Sequence, residues 1–269
     1  MNIIKYILLG ILQGITEPLP ISSSGHLFLF KTLFNTKMFN DLNFEIVVNF
    51  GSFLAILFIF RKEVIELVTS FFKFIFKKDT RKKEANNFKY CLQVIISTIP
   101  AGIIGLLFKD AIENKLENIK VVGGAFLITA LALFIVKNIS GTKDDKDITY
   151  KDALIIGLCQ AIALLPGISR SGAVLVGCLL CKFKRETALK YTFILYFPIS
   201  VATMILGIKD MIGANMSGLF MPYTLGLIAS GIVTYFTYSW MSELVKKGKL
   251  WKFSIYCLAL AIFIFIYFR

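Results

Sequence analysis

Two short stretches of this chain carry side chains able to do chemistry in an otherwise apolar background. The first, residues 10–26, reads Gly-Ile-Leu-Gln-Gly-Ile-Thr-Glu-Pro-Leu-Pro-Ile-Ser-Ser-Ser-Gly-His and brings together Gln13, Glu17, Ser22, Ser23, Ser24 and the only histidine, His26. Ionisable groups are costly at membrane depth and face a polar cavity or a partner there, which makes Glu17 and His26 functional candidates. The second, residues 157–172, aligns on residues 10–25 without a gap and keeps Gly10/Gly157, Gln13/Gln160, Ile15/Ile162, Ile21/Ile168, Ser22/Ser169, Ser24/Ser171 and Gly25/Gly172. Internal similarity of this kind marks a duplicated membrane architecture. The copies have diverged where it matters chemically: Glu17 is matched by Leu164, Ser23 by Arg170 and His26 by Ala173.

Gln13 and Glu17 are four residues apart, share a helix face and are expected to offer two oxygens to one ligand or to a hard divalent cation, Mg²⁺ or Ca²⁺. Ser22, Ser23 and Ser24, followed by Gly25, put hydroxyls and free backbone N–H groups at a helix start, where the dipole favours an anion such as phosphate. Simple N-capping would use only one of these hydroxyls. Ser169-Arg170-Ser171-Gly172 repeats the pattern with a guanidinium that can grip phosphate oxygens in two places, or pair with Glu17 across the two motifs. His26 can serve as base, acid or nucleophile near neutral pH. Together these groups describe a site for a phosphate or diphosphate ester whose other half is lipid, with hydrolysis as the reaction class. Spacing does not choose between serine, histidine and activated water as nucleophile.

The elements that must position them belong to a membrane protein. With 269 residues, 57% of them hydrophobic, and a mean hydropathy of +0.73, the chain is too apolar for an ordinary soluble domain. The net charge of +13 sits in short loops and implies orientation rather than nucleic-acid binding. Residues 3–17 form a helix that stops before Pro18 and Pro20, and a second apolar run reaches about Phe34; the pair reads as a re-entrant hairpin with its broken tip at a cavity. Spans follow near 45–61, 90–108 and 121–137. The polar segment 138–152 is a linker, after which a hairpin at 153–181, broken at Pro166-Gly167, precedes spans near 188–208, 218–239 and 251–268.

The expected fold is therefore an all-α polytopic membrane protein in one domain: repeat 1 over 1–137, the linker, and repeat 2 over 153–269, each a hairpin plus three transmembrane helices. Three spans between the hairpins invert the second repeat. Basic residues crowd into 61–89, 137–190 and 246–252, whereas few, among them Lys37, Lys109 and Lys115, lie on the side of the N-terminus, which the positive-inside rule places outside. Residues 62–89 read as a solvated amphipathic loop on the anionic leaflet. The five cysteines, Cys91, Cys159, Cys178, Cys181 and Cys257, read as small buried hydrophobes. The N-terminus lacks a small-residue cleavage pattern and reads as mature sequence.

Gln13-Gly-Ile-Thr-Glu17 leading to Pro20-Ile-Ser-Ser-Ser-Gly-His26, with Pro166-Gly-Ile-Ser-Arg-Ser-Gly172, closely resembles the two signatures of the undecaprenyl-diphosphatase family, the bacitracin-resistance proteins of bacteria. The resemblance covers the whole chain. It implies an enzyme of the bacterial plasma membrane that hydrolyses undecaprenyl diphosphate to undecaprenyl phosphate and phosphate, recycling the lipid carrier of cell-wall synthesis and conferring bacitracin resistance. It also implies Glu17 as metal or catalytic carboxylate, Ser23 and His26 as nucleophile or acid/base, Arg170 as phosphate clamp, and Ser22, Ser24, Ser169 and Ser171 as supporting groups. The expected partners are the lipid substrate and the membrane, with no nucleic acid and a homodimer left open. Two positions depart from the pattern: Gln13, where many members have Glu, and Val174, where the second signature usually has Thr. A transporter that flips the lipid phosphate is the rival reading, since inverted repeats with broken helices are also a carrier architecture. A scaffold assembled through Gly226, Ser230 and Gly231 would explain neither motif.

Overall fold

The computed structural model describes residues 3–34, 42–108, 118–211 and 219–269; Lys37, Lys109 and Lys115 lie outside them. Among the described residues the chain is helical throughout: α1 (Ile3–Thr16), α2 (Ser23–Phe34), α3 (Leu42–Ile59), α4 (Arg61–Phe76), α5 (Arg81–Leu107), α6 (Ile119–Val136), α7 (Tyr150–Ile162), α8 (Arg170–Leu180), α9 (Arg185–Met211), α10 (Phe220–Lys246) and α11 (Trp251–Tyr267). No strand interrupts them, which fits a chain whose backbone polar groups must be satisfied within each segment at membrane depth.

The local breaks follow the residues. α1 ends at Thr16, just before Glu17-Pro18-Leu-Pro20, and α7 gives way ahead of Pro166-Gly167, where Gly167 takes a φ of 90° that only glycine adopts readily. Two helices separated by a break stand at each motif, α1–α2 at the first and α7–α8 at the second. Four helices, within 78–107, 119–136, 185–207 and 220–246, are long and apolar enough to cross a membrane. A fifth candidate is the pair α3 and α4, which are bent 77° from one another. The last expected span is a helix of 17 residues, α11. The segment 62–89 is not a loop: α4 fills 61–76 and, after one 3-10 turn at Lys78–Thr80, α5 begins at Arg81. Its amphipathic pattern has helical period, which makes a helix the better use of those residues.

Each hairpin docks its first arm on a long helix of the other half. α1 packs on α10, and α7 packs on α5; α3 joins α10, α9 joins α5, and α6 pairs with α11. Close approach depends on glycine. A side chain at Gly10 would meet the Gly226 carbonyl, and one at Gly14 would lie 2.6 Å from Ser230 O. Gly157, the counterpart of Gly10, would meet Ser97 O at 2.6 Å in the other half. Gly226 and Ser230 are thus used inside the fold, against α1 and α3, where the Ser52 hydroxyl lies 2.8 Å from both Ser230 and Thr234.

The polar linker is strapped down rather than free. Lys143 pairs with Asp152 at 2.8 Å, Lys184 with Asp144 at 2.6 Å and Lys190 with Asp145 at 2.6 Å. The hydrogen bond to Asp144 raises the pKa of the exposed Lys184 ammonium above its ordinary value. Thr149 caps α7 in a reciprocal capping box with Asp152. All five cysteines are free; three are buried and Cys91 and Cys159 are half-buried.

Candidate functional site

The two broken tips meet. Ser171 Oγ donates to Leu19 O at 3.2 Å, and a Cβ on Gly25 would lie 3.1 Å from Gly167 Cα. The absence of side chains at these glycines lets the backbones approach, as Gly172 does toward Pro20 O. Between the tips and helices α3 and α9 lies a cavity of about 140 Å³, lined among others by Gln13, Glu17, Ser22, Ser23, Ser24, Ser169, Arg170 and Ser171. Most candidates from both motifs therefore converge on one space, although 147 positions separate the copies in sequence.

The two caps are built alike. Ser22 Oγ accepts from Gly25 N at 3.1 Å and sits 3.3 Å from Ser24 Oγ. Ser169 Oγ accepts from Gly172 N at 3.1 Å and sits 3.3 Å from Ser171 Oγ. In each copy the residue between the two serines is the one that differs: Ser23 in the first, Arg170 in the second. Gly25 and Gly172 act through the backbone N–H that each gives to its cap. Two helix N-termini and a guanidinium bordering one cavity give it a field suited to phosphate.

Glu17 is the hub of the first motif. Ser23 Oγ donates to Glu17 Oε2 at 2.6 Å, and Gln13 Nε2 donates to the same oxygen at 2.9 Å. The second N–H of Gln13 goes to Asn49 Oδ1. The expected pair of oxygens from Gln13 and Glu17 is thus not what the arrangement presents: the amide nitrogen faces the carboxylate, because two acceptors compete for its two protons. Gln13 is fully buried and its Oε1 has no hydrogen-bond partner. A carboxylate beside an amide with an unpartnered oxygen is a donor set that suits a hard cation once the amide turns over. Among the described residues, no group of three His, Cys, Asp or Glu stands together as a metal cluster.

His26 stands apart. It is 2% exposed and is not among the cavity-lining residues. Its Nδ1 lies 2.6 Å from Ser22 O and its Nε2 lies 2.9 Å from the Tyr256 hydroxyl, so both ring nitrogens are engaged within the fold. His26 adjoins the serines in sequence, but the imidazole folds back on the turn and packs against Phe126 and Tyr256.

Sequence reasoning missed the wall supplied by α3 and α9. Glu45 and Asn49 line the cavity from α3, and Thr192, Tyr196, Ser200 and Thr203 from α9. The signal was available: residues 192, 196, 200 and 203 fall at helical spacing and place a polar stripe on an apolar helix. Gln160, the repeat mate of Gln13, lines the same space and also leaves its Oε1 unpartnered.

Residues 6–263 match the family model described as bacitracin resistance protein BacA. The chain is 44% identical over 267 residues to undecaprenyl-diphosphatase 1 of Bacillus cereus, covering 98% of this chain and 97% of that protein. It is 45% identical over 267 residues to undecaprenyl-diphosphatase 2 of Bacillus thuringiensis, with the same coverage. It is 41% identical over 269 residues to undecaprenyl-diphosphatase of Oceanobacillus iheyensis, covering 99% and 97%.

Proposed function

The chain belongs to the bacitracin resistance protein BacA family, and from that membership we propose that it is a multi-pass membrane enzyme that hydrolyses undecaprenyl diphosphate to undecaprenyl phosphate and inorganic phosphate. The observation that carries a chemical mechanism is the 2.6 Å hydrogen bond from Ser23 to Glu17 at the edge of a cavity that Arg170 also lines.

Arg170 and the N-termini of α2 and α8 bind the terminal phosphate and offset the charge that develops on its oxygens. Ser23 Oγ attacks the terminal phosphorus and Glu17 takes the hydroxyl proton. The O–P bond forms as the anhydride P–O bond breaks, and undecaprenyl phosphate leaves. Water then attacks the phosphoserine as Glu17 returns its proton to the departing Ser23 Oγ; the Ser23–phosphorus bond breaks, the water's protons stay with the phosphate, and inorganic phosphate is released with Glu17 again a carboxylate. With no cation bound, Gln13 keeps Glu17 aimed at Ser23 by donating to the carboxylate.

A divalent cation, Mg²⁺ or Ca²⁺, is part of the proposal. Glu17 would hold it, with the Gln13 amide oxygen joining once the amide turns and gives up its N–H bond to the carboxylate, and it would supply further neutralisation of the diphosphate.

The finer architecture is proposed as an inverted repeat of two hairpins and six spans with the N-terminus outside. Three features support the inverted repeat: the matched caps, the docking of α1 on α10 alongside that of α7 on α5, and the placement of Gly10 and Gly157 against partner carbonyls; the orientation rests on the basic residues gathered in 61–89, 137–190 and 246–252. A lipid carrier would need anion-binding groups only, and the Ser23–Glu17 pair goes beyond that need. The deciding test is phosphate release from undecaprenyl diphosphate by purified protein in detergent, with Mg²⁺, with Ca²⁺ and with chelator, beside Glu17→Ala and Arg170→Ala. Release by wild type and severe loss in both folded variants is expected; no release by folded wild type would send the protein to a lipid-flipping assay.

A further inference from the structure

We propose that Tyr256 is a positioning residue for this reaction: acting through His26, it fixes the turn that delivers Ser23 to Glu17. The inference rests on the phosphatase reading above.

Ser22 has a φ of 70°, a left-handed conformation that L residues other than glycine adopt at a cost and that needs surrounding support. Support comes from His26. The Ser22 carbonyl accepts from the His26 backbone N–H at 3.2 Å and lies 2.6 Å from the ring Nδ1. A carbonyl oxygen can only accept, so Nδ1 carries a proton. In the neutral ring Nε2 then holds a lone pair, and the Tyr256 hydroxyl, 2.9 Å away, donates to it. The two rings are parallel within 2°, with centroids 5.6 Å apart, and Phe126 meets the imidazole edge-on at 5.2 Å. Tyr256 thereby selects the tautomer that can hold Ser22, in the way that outer partners fix ligand histidines in metal sites.

The second repeat serves as an internal control. Ser169 makes the same 3.1 Å cap as Ser22 but has a φ of −72°, within the ordinary range. Capping alone therefore does not require the left-handed turn. In that copy the position of His26 is Ala173, so no ring is there to hold one. The copy with the imidazole is the copy with the strained serine, and it is also the copy whose next residue, Ser23, reaches a carboxylate at 2.6 Å.

The presence of one histidine makes the test direct. In protein labelled at histidine nitrogen, NMR of the wild type at neutral pH reports the imidazole tautomer with no variant needed. A neutral ring protonated at Nδ1 is expected, and an Nε2–H tautomer or an imidazolium would overturn the proposal. Tyr256→Phe keeps the stacked ring and removes only the hydroxyl. It should shift the spectrum toward mixed tautomers and lower kcat about tenfold with KM nearly unchanged, the scale of one lost hydrogen bond felt at the reacting atoms. In a His26→Asn background, whose amide N–H can replace Nδ1–H without help from Tyr256, Tyr256→Phe should cost nothing further. A folded Tyr256→Phe protein with wild-type kcat, or an equal loss in the His26→Asn background, sinks the idea. A wild type that releases no phosphate would instead defeat the phosphatase reading, leaving the spectra to judge the Tyr256–His26–Ser22 linkage.

Discussion

At the scale of single residues, the site turns on what Glu17 accepts. Its Oε2 takes hydrogen bonds from both Ser23 and Gln13, so each partner can be removed separately. Glu17→Gln should keep the shape and lose the base, lowering kcat by about 10²–10⁴-fold, the usual contribution of a positioned acid or base. Ser23→Ala should abolish transfer of radiolabelled terminal phosphate onto the protein in a rapid acid quench; label retained in that variant would assign the nucleophile elsewhere. Asn49 reaches Glu17 only through Gln13. Asn49→Leu should free the Gln13 amide to turn and cost about fivefold to tenfold in kcat, while in a Gln13→Leu background the same change should have no further effect. Gln13→Glu is the opposite change. It places a second carboxylate beside Glu17, and tighter divalent-cation binding by calorimetry is the expected result.

At the scale of elements, the first arm of each hairpin approaches its long helix closely at glycines, beside buried apolar side chains such as Tyr6, Leu9 and Ile156. α1, which carries Gln13 and ends just before Glu17, lies on α10 through Gly10 and Gly14, and backbone rather than flexible side chain stands opposite Gly10. Adding Cβ and Cγ atoms there has no room to relax. Gly10→Val should destabilise the fold by about 1–3 kcal/mol and lower the unfolding midpoint in detergent, with Gly157→Val doing the same from the other half. By contrast, Gly102 and Gly124 would meet nothing within 4 Å, so Gly124→Ala is the matched control and should leave the midpoint unchanged or raised.

At the scale of the whole molecule, orientation follows from where the charge lies. Segments 77–83 and 143–152 carry lysines that belong inside if the N-terminus is outside. Lys82→Cys in a cysteine-free protein should react with an impermeant maleimide only after cells are opened; labelling of intact cells would overturn the N-out topology. Much of this was legible in one dimension. The prolines after Glu17 and at 166, the serines at 22 and 169, and the apolar runs determined where helices break, where they start and that they lie in lipid, because those effects act within a few residues of the chain. The match of residues 157–172 to residues 10–25 was legible because it keeps its spacing without a gap. Tertiary packing decided what no spacing could: that Asn49, 36 residues from Gln13, takes the second N–H of its amide, and that Tyr256, 230 residues from His26, meets the imidazole outside the cavity. A side chain's partner depends on which helix face meets it, and that is set by how α3, α6 and α11 pack around the tips rather than by sequence proximity.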